Sequence, residues 1–212
     1  MENKIQFFSK KTGNFYQLYP TKTIPVLRIN GVPMHRYIKI DPLTDTKTKI
    51  GASKPYGKVL DICTGLGYTA VYSAKLENVK EVITLEKDPE VLKIAKMNEA
   101  SKDLFKNSKI KIVNKDVVEK IKKFDSHSFD CIIHDPPTFV MSPDLYTLNF
   151  YKELFRVLKK DGRLWHYAPE PGKAKSEKKG EDFVERIILR LRQVGFRRIK
   201  RDKDSCGVVA YK

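Results

Sequence analysis

Residues 59–70 read Val-Leu-Asp-Ile-Cys-Thr-Gly-Leu-Gly-Tyr-Thr-Ala, the most informative pattern in the sequence. An apolar strand ends beside an acidic residue and then turns through two glycines into a helix. Gly65 and Gly67 let a ligand approach the backbone without obstruction by a Cβ atom. The stretch lacks the third glycine of the dinucleotide fingerprint and the Gly-Lys-Ser/Thr of a P-loop. It therefore predicts a site for a nucleoside that carries an amino-acid tail instead of a pyrophosphate.

The chain that follows alternates between short β-branched runs and apolar residues at helical spacing. Strands are predicted at residues 58–62, 81–85, 109–113, 129–133 and 163–167, with helices between them and a further helix at 182–194. Asp161-Gly162 is expected to turn the chain from the fourth helix into the fifth strand, and strands at 197–200 and 207–211 to form a closing antiparallel pair. The pattern predicts an α/β fold, a Rossmann-like doubly wound sheet of seven mostly parallel strands.

The first fifty-five residues follow a different pattern. Their strand candidates are joined by turns such as Thr12-Gly13-Asn14 and Asn30-Gly31, and they lie at residues 5–8, 15–19, 24–29 and 36–40. We therefore predict a small N-terminal β-hairpin element in residues 1–55 and a core domain in residues 56–212. The boundary is expected in the Gly- and Pro-containing stretch 51–57.

Length and composition exclude several classes of protein. A chain of 212 residues with 41% hydrophobic and 32% charged residues is globular, and it is neither disordered nor repetitive. No apolar run follows a basic start or approaches the ~18 residues that span a bilayer, which predicts a cytoplasmic protein with no membrane partner. The three cysteines are odd in number and widely spaced, so we expect neither a disulfide framework nor a metal site.

The net charge of +16 is unevenly distributed along the chain. Residues 1–57 carry a net +7, residues 58–150 are neutral, and residues 151–212 carry a net +9. A neutral centre between basic flanks predicts a polyanion-binding surface, although a Lys-rich surface that only favours solubility is the alternative. The basic candidates near the end of the fifth strand are Lys173 and Lys175, and others follow at Arg186, Arg190, Arg197, Arg198 and Arg201.

Acidic residues end or follow the next three predicted strands. Glu86 ends the second strand, where a carboxylate can accept both ribose hydroxyls of an adenosine, and Asp116 follows the third, where it can accept from the adenine amino group. The fourth strand leads into His134-Asp135-Pro136-Pro137-Thr138-Phe139. Because the carboxyl ends of parallel strands meet at one edge of a sheet, we expect these groups and the glycine turn to meet in one crevice.

Residues 58–168 resemble the class I S-adenosylmethionine-dependent methyltransferases, whose four motifs match in order at Asp61-x₃-Gly65-x-Gly67, Glu86, Asp116 and Asp135-Pro136-Pro137. Residues 33–36, 61–70, 134–139 and 166–167 also resemble a group of predicted archaeal methyltransferases described as spermidine-synthase-like. The resemblance implies S-adenosylmethionine as the cofactor. The cofactor-binding candidates are Asp61, Thr64, Gly65, Gly67, Tyr68, Thr69, Glu86, Lys87, Asp116, Val117 and Asp135.

The family's fourth motif, Asp/Asn-Pro-Pro followed by an aromatic residue, binds a planar amine or amide nitrogen. The side chain of Asp135 and the carbonyl of Pro136 supply two acceptors for the two hydrogens of an exocyclic amino group, and the two prolines stiffen the loop. Thr138 stands where amine-methylating members commonly have Tyr or Phe. Stacking is therefore assigned to Phe139, and a non-planar target is the alternative.

The remaining site candidates carry less specific signals. The catalytic candidates are Asp135, Pro136, Pro137 and His134, the last as a general base or as a packing residue. The substrate-binding candidates are Phe139, His166, Lys173, Lys175 and Arg36.

The leading hypothesis is a methyltransferase that modifies an exocyclic base nitrogen in structured RNA, either tRNA or rRNA. One alternative is a protein N-methyltransferase. Another is aminopropyl transfer to a polyamine, which is disfavoured because residues 63–67 contain no acid and because a cationic substrate suits a +16 protein poorly. The third alternative is a non-enzymatic RNA-binding module with a vestigial cofactor pocket. The oligomeric state is open.

Overall fold

The chain forms two β-sheets and seven α-helices in residues 4–169 and 183–212, which this computed structural model describes. The strands are β1 (Gln6–Ser9), β2 (Asn14–Tyr19), β3 (Val26–Ile29), β4 (Val32–Pro33), β5 (Gly57–Ile62), β6 (Val79–Glu86), β7 (Ile110–Asn114), β8 (Phe129–His134), β9 (Leu158–Tyr167), β10 (Arg197–Asp202) and β11 (Gly207–Tyr211). The helices are α1 (Pro42–Ser53), α2 (Tyr68–Ala74), α3 (Pro89–Lys96), α4 (Lys102–Lys106), α5 (Val117–Lys120), α6 (Leu148–Val157) and α7 (Phe183–Val194). None of the helices in these two ranges has the length and apolar character of a membrane span.

The larger sheet has seven strands in the order β10-β11-β9-β8-β5-β6-β7. Strands β9, β8, β5, β6 and β7 pair in parallel, while β10 and β11 are antiparallel. The predicted α/β class and the closing antiparallel pair are confirmed. Strand order reverses between β5 and β8, and in open α/β sheets this switch point is where ligands bind.

The two faces of the larger sheet build two separate cores. Leu60 and Ile62 of β5 pack in one core with α6 and α7, whereas Val59 packs in the other core with α2 and α3. Successive side chains of a strand point to opposite faces, so the apolar residues of β5 serve both cores. The smaller sheet, β1-β2-β3-β4, adds its apolar side to the second core.

The prediction of a strand at 36–40 is wrong, and helix α1 was missed. The last strand of the small sheet is β4, and the chain then enters α1. Asp41 caps this helix by accepting a hydrogen bond from the backbone N–H of Thr44, and Pro42 stands in its first turn. Apolar periodicity did not mark the helix because its buried side is largely polar: the buried residues are Pro42, Asp45, Thr46, Lys49 and Ser53.

The role expected of Asp161-Gly162 is also corrected. Strand β9 begins at Leu158, directly after α6, and contains both residues. Asp161 has a φ of 60°, and the pairing of β8 with β9 jumps from Phe129–Leu158 to Cys131–Arg163. The two residues therefore form an irregularity inside the strand, because a left-handed residue interrupts the regular ladder without ending it.

We predict opposite effects on stability for two glycine-to-alanine substitutions. In Gly207→Ala the new Cβ would overlap the indole of Trp165, which is fully buried, so unfolding should become easier by about 1–3 kcal/mol. In Gly51→Ala the new Cβ, in helix α1, meets no atom within 4 Å, so stability should rise by about 0.5–1 kcal/mol. Urea unfolding of both variants checks this, and equal midpoints would contradict the packing described.

Candidate active site

A cavity of about 410 Å³ lies at the carboxyl ends of β5, β6, β7 and β8. Eleven of the residues predicted to bind the cofactor or act in catalysis line it, and so does one substrate candidate, Arg36. The eleven are Thr64, Gly65, Tyr68, Thr69, Glu86, Lys87, Asp116, Val117, Asp135, Pro136 and Pro137. The convergence expected from a parallel sheet is therefore present, and the volume suits a small cofactor.

The glycine turn is held against β6 by two backbone hydrogen bonds. The N–H groups of Cys63 and Thr64 both donate to the carbonyl of Leu85, at 3.0 Å each. Gly65 has a φ of 55° and lines the cavity, and a Cβ added to it would meet no atom within 4 Å. A ligand can therefore approach the backbone at this position.

Gly67 does not line the cavity, contrary to its prediction as a cofactor contact. Its φ is 78°, and the buried side chain of Leu104 fills the place that its Cβ would take. Glycine is needed at this position for the left-handed start of α2 and for the packing of α4 on the turn.

Asp61 also lies outside the cavity, buried beneath the turn. Its Oδ1 accepts a hydrogen bond from the hydroxyl of Thr69 at 2.7 Å, and its Oδ2 accepts one from Thr84 at 2.6 Å. Burial raises the pKa of Asp61 to about 7, against the opposing effect of the two hydroxyl donors. Asp61 was expected to contact the ligand directly. The structure instead places it beneath the turn, where it accepts hydrogen bonds from Thr84 and from Thr69, which lines the cavity.

Glu86 and Asp116 line the cavity at the ends of β6 and β7, the two strands that follow β5 in the sheet order. The two carboxylate oxygens of Glu86 accept from the N–H groups of Gly65 and Asp88, at 3.0 Å each. Burial raises the pKa of Glu86. A carboxylate has about four acceptor positions, so two remain available for hydroxyl groups of a ligand. Asp116 caps α5 through a 2.8 Å bond from the N–H of Val118.

Asp135 forms an ion pair with a lysine that the sequence analysis missed. Its Oδ2 lies 2.7 Å from Nζ of Lys49, which also lies 3.1 Å from Asp45; Asp45 in turn pairs with Arg36 at 2.7 Å. Burial acts to lower the pKa of Lys49, but attraction to Asp135 and Asp45 outweighs it and leaves that pKa raised. The available signal was the Asp41-Pro42 helix start, which places residues 45 and 49 one turn apart.

His35 lines the cavity next to Lys49 and stays neutral. Its Nδ1 accepts a 3.3 Å hydrogen bond from the N–H of Leu27. Burial, followed by the positive charge of Lys49, lowers the pKa of His35 to about 4. Nearby, the hydroxyl of Tyr68 donates to the carbonyl of Pro25 at 2.8 Å, which ties the hairpin element to the core at the cavity.

His134 and His166 are fully buried and do not reach the cavity. His134 Nε2 lies 3.1 Å from the carbonyl of Leu145, His166 Nε2 lies 2.7 Å from the hydroxyl of Tyr151, and the two rings are 4.4 Å apart. Burial lowers the pKa of His134 to about 4 and lowers that of His166 as well. Of the two interpretations of His134, the packing residue agrees with the structure and the general base does not, and the expectation of a substrate contact at His166 is corrected, because both side chains point into the protein interior.

Phe139 lies outside the cavity with 44% of its surface exposed. Its ring packs edge-on against Tyr146 and Phe183. Lys173 and Lys175 lie outside the described residues. Within residues 4–169 and 183–212 no cluster of three or more His, Cys, Asp or Glu side chains could hold a metal ion, and Cys63, Cys131 and Cys206 are free thiols.

Comparison with known sequences identifies the family. The profile of the methyltransferase small domain matches residues 39–187, and the chain belongs to this family of S-adenosylmethionine-dependent methyltransferases. An uncharacterized protein of Methanocaldococcus jannaschii is 47% identical over 94% of this chain and 68% of its own length. A polyamine aminopropyltransferase of Streptomyces coelicolor is 28% identical over 52% of this chain and 21% of its own. The release factor glutamine methyltransferase of Clostridium acetobutylicum is 32% identical over 39% and 28%.

Solved structures share the fold. A spermidine synthase in complex with the transition-state analogue AdoDATO superposes with a TM-score of 0.76 at 19% identity, over 99% of this chain and 73% of that one. A SAM-dependent methyltransferase from Archaeoglobus fulgidus superposes with a TM-score of 0.58 at 15% identity, over 80% and 92%. The protein is an enzyme with S-adenosylmethionine as its cofactor, and the predicted family and cofactor are confirmed.

We predict that Asp61→Asn changes how stability depends on pH. The pKa of Asp61 is about 7 in the folded protein against 3.8 for a free side chain, so the folded state binds its proton more tightly. The free energy of unfolding should therefore fall as the pH rises from about 4 to about 7, by up to about 4 kcal/mol from this group. Urea unfolding across this range should show a flatter profile for Asp61→Asn. Asp103→Asn, at a half-exposed position, should keep the wild-type profile.

Proposed function

We propose that the protein methylates an exocyclic amino nitrogen of a base in structured RNA. The observation that carries this proposal is the position of Asp135, which lines the cavity directly before Pro136 and Pro137. Its Oδ2 is held by Lys49, and among the described residues no hydrogen bond reaches Oδ1. That oxygen and the carbonyl of Pro136 are the two acceptors that an amino group needs.

The residues around the cavity fit the cofactor. Glu86 would accept the ribose hydroxyls, Asp116 would accept from the adenine amino group, and the open backbone at Gly65 would admit the amino-acid tail. When bound, S-adenosylmethionine supplies an electrophilic methyl group on a sulfonium.

The protein's own contribution is position and electrostatics. Asp135 and Pro136 would orient the amino group so that the lone pair of its nitrogen faces the methyl donor. A neutral amino group needs no strong base before the reaction, which agrees with the absence of His134 and His166 from the cavity lining in the described residues. After transfer, the nitrogen's surplus proton is within reach of Oδ1 of Asp135 in this arrangement.

Charge supports RNA as the substrate. The chain carries a net charge of +16. In sequence, basic segments precede and follow the neutral segment 58–150, which supplies most of the cavity lining. Phe139, just beyond Pro137, packs on Phe183, and the guanidinium of Arg186 lies 5.7 Å from the centre of the Phe183 ring. An exposed aromatic ring beside arginines is a suitable surface for an unstacked base and its phosphate.

Similarity to known proteins suggests two other activities. The likeness to spermidine synthases favours aminopropyl transfer, but residues 63–67 contain no acid and Lys49 already neutralises Asp135. The likeness to a glutamine methyltransferase favours a protein amide, which is also a neutral planar nitrogen. The basic charge favours RNA over a protein amide.

Labelling tests the substrate. Tritiated S-adenosylmethionine, incubated with the protein and unmodified tRNA or rRNA, should label RNA. Asp135→Ala should lower that labelling by about 10²-fold or more, because the amino group loses an acceptor that orients it. Label in a protein fraction with none in any RNA would overturn the assignment to RNA.

The ribose assignment is tested by cofactor binding. Calorimetry should show that Glu86→Ala binds S-adenosylmethionine about 10- to 100-fold more weakly, since hydrogen bonds to a charged group are worth about 1.5–3 kcal/mol. Glu81→Ala is the matched control on the same strand, because Glu81 pairs with Lys58 and Lys111 outside the cavity. Equal affinities for the two variants would contradict the assignment.

A further inference from the structure

Lys49 is buried in a pocket with the composition of an ammonium-binding site. Two carboxylates, Asp135 and Asp45, lie 2.7 Å and 3.1 Å from its Nζ. The rings of Trp165 and Tyr167 lie 5.7 Å and 5.5 Å from the same atom. Carboxylates and aromatic faces are the groups that attract an alkylammonium. In this structure the ammonium of Lys49 occupies that position.

The charges around this pocket are balanced. Arg36, Lys49, Asp45 and Asp135 carry two positive and two negative charges, and they form one chain of ion pairs. His35 faces the same place as a neutral side chain, because its Nδ1 accepts a backbone hydrogen bond. An additional cation would find no uncompensated carboxylate, and it would have to lie near the buried ammonium of Lys49.

A neutral amino group meets no such obstacle. Oδ1 of Asp135 can accept one of its hydrogens while Oδ2 stays paired with Lys49. Both residues line the cavity, but the side chain of Asp135 is 22% exposed and that of Lys49 only 7%, so a ligand there has more access to the carboxylate than to the lysine.

We propose that Lys49 determines acceptor specificity: it fills the ammonium pocket beside Asp135, so that the site rejects protonated amines and admits neutral planar amino groups. This inference rests on the proposed function for the role of Asp135 in binding the acceptor. It also explains how a chain with the fold of a spermidine synthase can be closed to polyamines. In this role Lys49 is a positioning residue, because it acts through the carboxylate of Asp135.

Binding of a diamine tests the proposal without any methyl transfer. Putrescine is titrated by calorimetry into the cofactor-loaded wild type and into Lys49→Ala, Lys49→Arg and Lys47→Ala. Lys49→Ala should bind putrescine at least tenfold more tightly than the wild type, because it vacates the pocket and leaves a net negative charge there. Lys49→Arg keeps the charge, and Lys47→Ala removes a lysine from the exposed side of the same helix. Both should behave like the wild type.

A second variant keeps the test decisive if Lys49→Ala does not fold, as judged by loss of cofactor binding. Asp45→Asn combined with Lys49→Ala vacates the pocket while removing one charge of each sign, so it leaves Asp135 without its lysine partner and fewer unpaired buried charges, and it should bind putrescine at least tenfold more tightly than the wild type. Equal binding of putrescine by the wild type and by a folded variant that carries Lys49→Ala would overturn the proposal.

RNA labelling separates this inference from the proposed function. If the wild type labels no RNA while the variants that carry Lys49→Ala bind putrescine more tightly than the wild type, the assignment to RNA is wrong and the role of Lys49 is supported. If RNA is labelled and these variants bind putrescine no more tightly than the wild type, the specificity assigned to Lys49 is wrong and the proposed function is supported.

Discussion

The site depends on the parallel pairing of β5 with both β6 and β8. Asp61 lies opposite Thr84 on one side and Ile133 on the other, and Ile62 lies opposite His134. This register brings the three carboxyl ends to one edge, so the glycine turn, Glu86 and Asp135 meet although they are distant in sequence. The buried carboxylate of Asp61 joins β5 to β6 through Thr84 and to the start of α2 through Thr69, and β5 and α2 lie on the two sides of the glycine turn in sequence.

The two halves of the cavity come from different parts of the chain. The carboxyl ends of β5, β6 and β7 supply most of the residues assigned to the cofactor. The acceptor side combines the segment after β8 with α1 and residues 33–36, which precede the sheet in sequence. Burying Lys49 between Asp45 and Asp135 is tolerated because each charge has a partner at hydrogen-bond distance. The N-terminal element therefore supplies charged side chains to the cavity as well as part of its wall.

The same fold carries methyltransferases and aminopropyltransferases, so the fold alone does not decide the reaction. Both activities transfer an alkyl group from a sulfonium to a nitrogen, and they differ in the cofactor tail and in the charge of the acceptor. In this chain, residues 63–67 carry no acid and the carboxylate before Pro136 is already paired. Those local features agree with the methyltransferase family and support the proposal of a neutral acceptor nitrogen.

The sheet, the glycine turn and the acids at the strand ends could be predicted from sequence patterns, because strand and helix periodicities and turn residues are local signals. Which of those residues face the cavity depends on tertiary packing. Asp61, Gly67, His134 and His166 belong to motif-like segments, yet each packs inward, since side-chain direction depends on register and on neighbours distant in sequence. The ion pair of Lys49 with Asp135 joins residues 86 positions apart and starts from a helix with a polar buried side, so the Asp41-Pro42 helix start could indicate the helix but not the partner of Lys49.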